Sequence, residues 1–127
     1  MAQTPTAYVQ ARIDGCIRHC LLDSGADVSL IPIPSQFVSR EKLVPDERRL
    51  LAANNTTIHI DGQTRLTVLI NKQRFSAVLL VSPNVDEVIL GRDWLQENNV
   101  VWNFGENSIK INGHPCHLIT KNRHCPP

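Results

Sequence analysis

Short apolar segments separated by turn signals run along most of the chain, and a helical period is nearly absent. From Ala7 to Ile13, Val9, Ala11 and Ile13 fall on one face of an extended segment, with Gln10 and Arg12 on the other. Asp14-Gly15 follows, a pair suited to a tight hairpin turn, and "CIRHCLL" returns as the partner strand. Asp61-Gly62 repeats the signal between "TTIHI" and "TRLTVLI", and Asn71-Lys72 turns that strand into "RFSAVLLV". "SPNVDE" reads as a loop and "VILG" as a short buried strand. Asp93 to Asn98 reads as a short helix whose acidic start suits the helix dipole. "VVWNFGENSIKING" gives one more hairpin, with Gly105 and Asn112-Gly113 as turns, and "PSQFVSREKL" has room for a short helix. Many short strands with regular punctuation predict an all-β, closed, barrel-like fold with one short helix in its C-terminal half.

Length and charge narrow the function classes. The 127 residues suffice for one domain, with a core over about 7–119 and residues 120–127 as a linker or tail. Thirteen basic residues against 12 acidic ones give a formal net charge of +1, without a basic run. That balance argues against nucleic acid or an anionic membrane as the main partner. No apolar run is long enough to span a bilayer, and the first residues lack the charged and apolar regions of a secretory signal. The expected location is therefore intracellular and reducing, where Cys16, Cys20, Cys116 and Cys125 stay thiols. Cys116, His117, His124 and Cys125 come as adjacent pairs instead of C-x2-C, so no metal centre is expected in the tail.

One stretch breaks the pattern. In "CLLDSGADVSLIP" (Cys20 to Pro32) an acid, a hydroxyl and a glycine stand between two segments that both suit burial. The triplet alone makes an ordinary turn. Its flanks point elsewhere: Leu21, Leu22, Ala26, Val28 and Leu30 surround it, and a carboxylate enclosed by them needs partners or a raised pKa. Further on, "VILGRDWL" repeats the shape of buried strand and glycine, then places Arg92 to pair with Asp27 and brace the loop from behind.

Together and in this order, "LLDSGADVSLIP" and "EVILGRDWL" resemble a retropepsin, the aspartic protease of retroviruses and LTR retrotransposons. "LLAANNTTIHIDGQ" is similar, more narrowly, to the gypsy-type retrotransposon enzymes, and the resemblance runs from about Val9 to Val101. It implies a β-rich protomer that works only as a homodimer, each chain giving one aspartate. The chemistry agrees: hydrolysis by this route needs two carboxylates sharing a proton, an arrangement whose standing example is the aspartic proteases themselves. This chain has a single Asp-Ser/Thr-Gly, so a two-fold axis must supply the second acid.

The resemblance assigns roles. Asp23 is the catalytic acid, Ser24 hydrogen-bonds across the dimer axis, and Gly25 permits close approach of backbone. Asp27 holds substrate backbone and pairs with Arg92, Ala26 and Ile89 line subsites, and Gly91 and Arg92 support the loop. Ala53, Asn54, Asn55 and Thr56 form the substrate-covering flap within Ala52 to Thr57. Asn55 stands where the gypsy-type enzymes commonly keep a glycine, and asparagine tolerates left-handed geometry. No metal or organic cofactor is implied. The substrate is an extended polypeptide, a Gag-Pol-type polyprotein, met in the cytoplasm or in virus-like particles. Two alternatives stay open: a catalytically silent dimerisation or peptide-binding module of the same fold, and a protease acting on cellular protein, of the kind found in ubiquitin-linked shuttle proteins. "SIKINGHPCHLI" either supplies dimer strands or packs on its own protomer, and Trp94 and Trp102 are core or interface anchors.

Overall fold

The computed structural model of the chain describes residues 5–13, 15–32, 44–45, 50–51 and 57–122. In chain order the strands are β1 (Pro5–Ile13), β2 (Cys16–Leu22), β3 (Leu30–Pro32), β4 (Leu50–Leu51), β5 (Thr57–Ile58), β6 (Gly62–Ile70), β7 (Gln73–Ser82) and β8 (Ile89–Leu90). Helix α1 (Arg92–Glu97) follows, then β9 (Val101–Asn103), β10 (Ser108–Ile111), β11 (His114–His117) and β12 (Ile119–Asn122).

Turn chemistry sets the two long hairpins. β1 and β2 pair from Tyr8↔Leu21 to Ile13↔Cys16, around Gly15 at φ +80°. β6 and β7 pair along their whole length, from Gly62↔Val81 to Ile70↔Gln73. Their turn holds Asn71 at φ 51° and Lys72 at φ 67°, two left-handed residues whose twist matches that of the flanking strands. The main sheet runs β12-β1-β2-β8-β3-β7-β6, and Arg12↔Leu69 and Ile13↔Val68 join β1 to β6. β1, β2, β8, β3, β7 and β6 thus close a six-stranded barrel. The fold is all-β with one short helix, as the pattern predicts.

Period-two burial fills the barrel. Val9, Ala11 and Ile13 of β1, Val68 and Ile70 of β6, and Phe75, Ala77, Leu79 and Val81 of β7 all point inward and are buried. Each of these Val, Ile, Leu and Phe side chains contributes about 1.5–3 kcal/mol relative to exposure, and the two alanines less. Trp94 of α1 meets Phe75 edge-on, with ring centroids 6.0 Å apart, so the helix closes the core. Ile109, Ile111, Cys116 and Leu118 join the same core, and β12 pairs with β1 from Pro5↔Asn122 to Tyr8↔Ile119. "SIKINGHPCHLI" therefore packs on its own protomer.

Two local expectations need correction. Asp61-Gly62 is not a hairpin tip: β5 pairs with β4, while Asp61 N donates to Val81 O (2.8 Å) as the chain enters β6. Gly105 falls in the β9–β10 turn as expected, where the left-handed residue is Asn107 (φ 53°) and Asn103 Oδ1 accepts from Glu106 N (2.9 Å). The helix begins at Arg92 rather than Asp93, and Asn98 ends it by donating from both its backbone N and Nδ2 to Trp94 O. The expected "PSQFVSREKL" helix lies outside the described residues, as do Asp14 and Ala52 to Thr56.

Candidate active site

The site is built where β8 slips between β2 and β3. β8 runs parallel to β2 (Leu21↔Ile89, Leu22↔Leu90) and antiparallel to β3 (Leu30↔Ile89). The loop after β2 and the corner after β8 consequently leave the barrel side by side. Backbone bonds tie them: Asp23 N donates to Leu90 O (3.0 Å), Ala26 N to Asp23 O (3.1 Å) and Arg92 N to Ala26 O (2.7 Å).

Both glycines serve this crossing. Gly25 N donates to Asp23 Oδ1 (3.0 Å), and a Cβ on Gly25 would lie 3.2 Å from that same oxygen. A Cβ on Gly91 would meet Val28 O at 2.3 Å and Ala26 O at 2.7 Å. These are backbone atoms, which have little freedom to move aside.

A third tie escaped the sequence reading. Ser29 is fully buried; its Oγ accepts from Gly91 N (2.9 Å) and donates to Asp93 Oδ1 (2.7 Å). Ser29 N donates to Asp93 Oδ2 (3.3 Å), and Trp94 N donates to Asp93 Oδ1 (2.7 Å). Asp93 is thus a cross-loop clamp in addition to an acid in the first helical turn. The available signal was Ser29 itself, a hydroxyl inside the apolar run "VSLIP" that must find a partner once buried.

Among the described residues of one protomer, the enclosure expected for Asp23 is absent. Leu21, Leu22 and Leu30 are buried, but of these only Leu22 joins the barrel core while Leu21 and Leu30 lie on the other face of their strands; Asp23, Ala26 and Ile89 are half-buried and Ser24, Gly25 and Asp27 are exposed. Apolar flanks reported on the strands, not on the loop between them. Arg92 Nη1 lies 3.5 Å from Asp27 Oδ1 with both side chains mostly exposed, a long and water-screened pair. Directly behind the loop, burial pushes the Cys20 thiol up to about 12 against the opposing pull of Arg18, so it is inert as a nucleophile. Ala53, Asn54, Asn55 and Thr56 lie outside the described residues. Of the tail residues considered for metal, Cys116 is buried with its Sγ toward His114 O, His117 is exposed, and His124 and Cys125 lie outside the described residues.

Beside Ser24 opens a cavity of about 440 Å³, lined also by Arg92, Leu95, Trp102 and Phe104. Trp102 and Phe104 stack at 5.0 Å, yet Phe104 is 78% exposed and Val101 63% exposed. Exposed apolar surface therefore lies beside the half-open loop that carries Asp23.

The family model for the retroviral aspartyl protease matches residues 3–102. The chain belongs to the retroviral aspartyl protease family. Two solved structures share its fold. The retroviral protease-like domain of Ddi1 from Leishmania major superposes with a TM-score of 0.69 at 16% identity, covering 90% of this chain and 93% of that one. The EIAV protease complexed with the inhibitor HBY-793 superposes with a TM-score of 0.55 at 21% identity, over 76% and 88%. The barrel with its β8 crossing is the retropepsin fold, and the chain is a retropepsin-like aspartic protease domain. Strands β10, β11 and β12 lie beyond the residues that the family model matches.

Proposed function

We propose that the protein is an aspartic endopeptidase that cleaves a retrotransposon Gag-Pol-type polyprotein, in the cytoplasm or in virus-like particles, as a homodimer in which each chain contributes Asp23. The observation that carries this reading is the Asp23 loop itself. It is pinned to β8 and α1 by backbone bonds, with one carboxylate oxygen held by Gly25 N, and it presents Ser24 and Gly25 outward on a face with exposed apolar surface. A second copy brought up to that face supplies the second carboxylate and the enclosure that one protomer lacks.

In the dimer the two Asp23 carboxyls share one proton. The ionised one takes a proton from water while the protonated one donates to the scissile carbonyl oxygen; collapse of the tetrahedral species then passes a proton to the leaving amine. Water attacks directly, so no acyl-enzyme forms. Ser24 joins the two loops across the axis, Ala26 and Ile89 shape subsites, and Asp27, steadied by Arg92, holds substrate backbone. Residues 53–56 close over the substrate. The dimer face is built on α1 and β9, because β12 already occupies the outer edge of β1, whereas β9 is an edge strand of its own three-stranded sheet.

The Ddi1 domain's TM-score of 0.69 over 90% of the chain favours a second reading, a protease whose substrate is a cellular protein. Peptides spanning the junctions of its own polyprotein, set against a peptide library from host proteins, separate the two. Preferred junction cleavage supports the first reading. Cleavage confined to host peptides replaces it with the second, and an intact dimer that cleaves neither leaves a silent module.

A further inference from the structure

We propose that a trough at the far end of the barrel from Asp23 binds an acidic stretch of polypeptide carrying apolar side chains, an exosite for the substrate chain away from the scissile bond. That the segment belongs to a substrate rests on the protease reading; the binding itself does not.

The net charge of +1 conceals a separation of charge. β1, β2, β6 and β7 carry Arg12, Arg18, His19, Arg65 and Arg74 and no Asp or Glu. Asp23, Asp27, Asp86, Glu87, Asp93 and Glu97 lie instead in the loops and helix gathered around the other end of β2. Near-neutral balance argues against a large polyanion as the main partner, but the cations of the two hairpins outnumber Asp14, the one acid in their sequence, and that local excess still selects acidic ligands.

Register brings the cations into one place. Arg12 stands opposite Ile17 on β2 and opposite Leu69 on β6, and Leu69 stands opposite Arg74 on β7. Lys72 sits at the adjoining turn. Arg12, Lys72 and Arg74 are exposed, and no acidic partner holds them among the described residues. Between them is a cavity of about 250 Å³ lined by Gln10, Arg12, Ile17, Leu69, Asn71 and Lys72. A second, of about 350 Å³, shares Gln10 and Asn71 with it and continues past His117 to Ile119. The two adjoin at Gln10 and Asn71, and we treat them as one trough, with Asn71 held by donation from Nδ2 to Pro115 O (3.2 Å). Its position follows from β2, whose 7 residues separate it from Asp23 by about 20 Å.

The lining selects among anions. Ile17 is 56% exposed and forms an apolar floor with Leu69, which a phosphate backbone does not need and an apolar side chain fills. No Phe, Tyr or Trp is among the residues that line either cavity, and the single ring there, the imidazole of His117, offers one stacking surface where single-stranded nucleic acid uses several in succession. Amides at Gln10 and Asn71 suit peptide backbone, and the flanking Arg12 and Lys72 suit carboxylates. An acidic peptide with interspersed leucines meets all three demands.

The test uses the Asp23→Asn protein, so that binding is read without turnover, and fluorescence anisotropy of a fluorescein-labelled peptide of alternating Asp and Leu. The same peptide with Asn for Asp, and an oligothymidylate of equal charge, are the comparison probes. The acidic peptide binds at low salt, and Arg12→Glu with Lys72→Glu weakens it about tenfold, with unchanged melting because both side chains are exposed. Ile17→Ser weakens it as well, which a merely electrostatic attraction would not show. Equal binding of the Asn peptide, tighter binding of the oligothymidylate, or indifference to the charge reversal would each overturn the proposal.

Discussion

Replacing Gly91 by alanine should damage this protein more than a methyl added at Gly15, Gly25, Gly105 or Gly113. The new Cβ would sit 2.3 Å from Val28 O and 2.7 Å from both Ala26 O and Val28 C. Ordinary carbon contacts begin near 3.5 Å, so the corner after β8 must retreat by about 1 Å from the 26–28 segment. That retreat strains the packing, at about 1–3 kcal/mol. It also stretches two hydrogen bonds that cross the same gap, Gly91 N to Ser29 Oγ and Arg92 N to Ala26 O, each contributing about 1 kcal/mol. The expected loss is therefore about 3–5 kcal/mol, a large share of the about 5–15 kcal/mol of a typical domain. Urea unfolding of the variant beside wild type measures it, with turnover following because the displaced corner carries the Asp23 loop. Gly105→Ala is the control, since its Cβ meets nothing closer than 3.5 Å, and it should shift stability by less than about 0.5 kcal/mol. A Gly91→Ala protein within about 1 kcal/mol of wild type would refute the reasoning.

Ser29→Ala removes the buried hydroxyl that joins Gly91 N to the Asp93 carboxylate, and should cost about 2–3 kcal/mol by urea titration. Phe104→Ser, at a side chain 78% exposed, should leave the fold's circular dichroism unchanged yet lower the dimer fraction in sedimentation at a fixed concentration. Cys20 should resist iodoacetamide in the native protein at pH 8 and react once unfolded. Because its folded pKa is raised, the unfolded chain releases a proton above its ordinary value of 9.0 that the folded chain keeps to about 12. Stability should accordingly be unaffected by this group below pH 9 and fall as pH rises from there toward 12, a slope that Cys20→Ala removes.

Legibility followed the range of the interactions. Asp14-Gly15, Asn71-Lys72 and Asn112-Gly113 were readable as turns because a two-residue hairpin is decided by its own dihedrals, and Gly15, Asn71, Lys72, Asn112 and Gly113 all have positive φ. Asp61-Gly62 carries the same letters and fails, because the strand before it pairs backward with β4 and only long-range pairing reveals that. The alternation of Val9, Ala11 and Ile13 gave the buried face of β1 directly. The Asp93 clamp stayed hidden because its partner Ser29 lies 64 residues away, and an acid in a first helical turn already has a local explanation. Asp23 was found by its motif, but its surroundings were misjudged, since Leu22 is buried in the barrel core and Leu21 on the other face of β2 without either covering the loop that follows.

The most direct test of a dyad shared across two chains is subunit mixing. Wild type and Asp23→Asn are exchanged at equal amounts, and cleavage of a junction peptide is followed at constant total protein. If each active site needs Asp23 from both chains, only the dimers that pair two wild-type copies turn over, and activity falls to about a quarter of wild type. Activity at about half, in proportion to the wild-type chains present, would mean that each protomer works alone and would contradict the shared dyad.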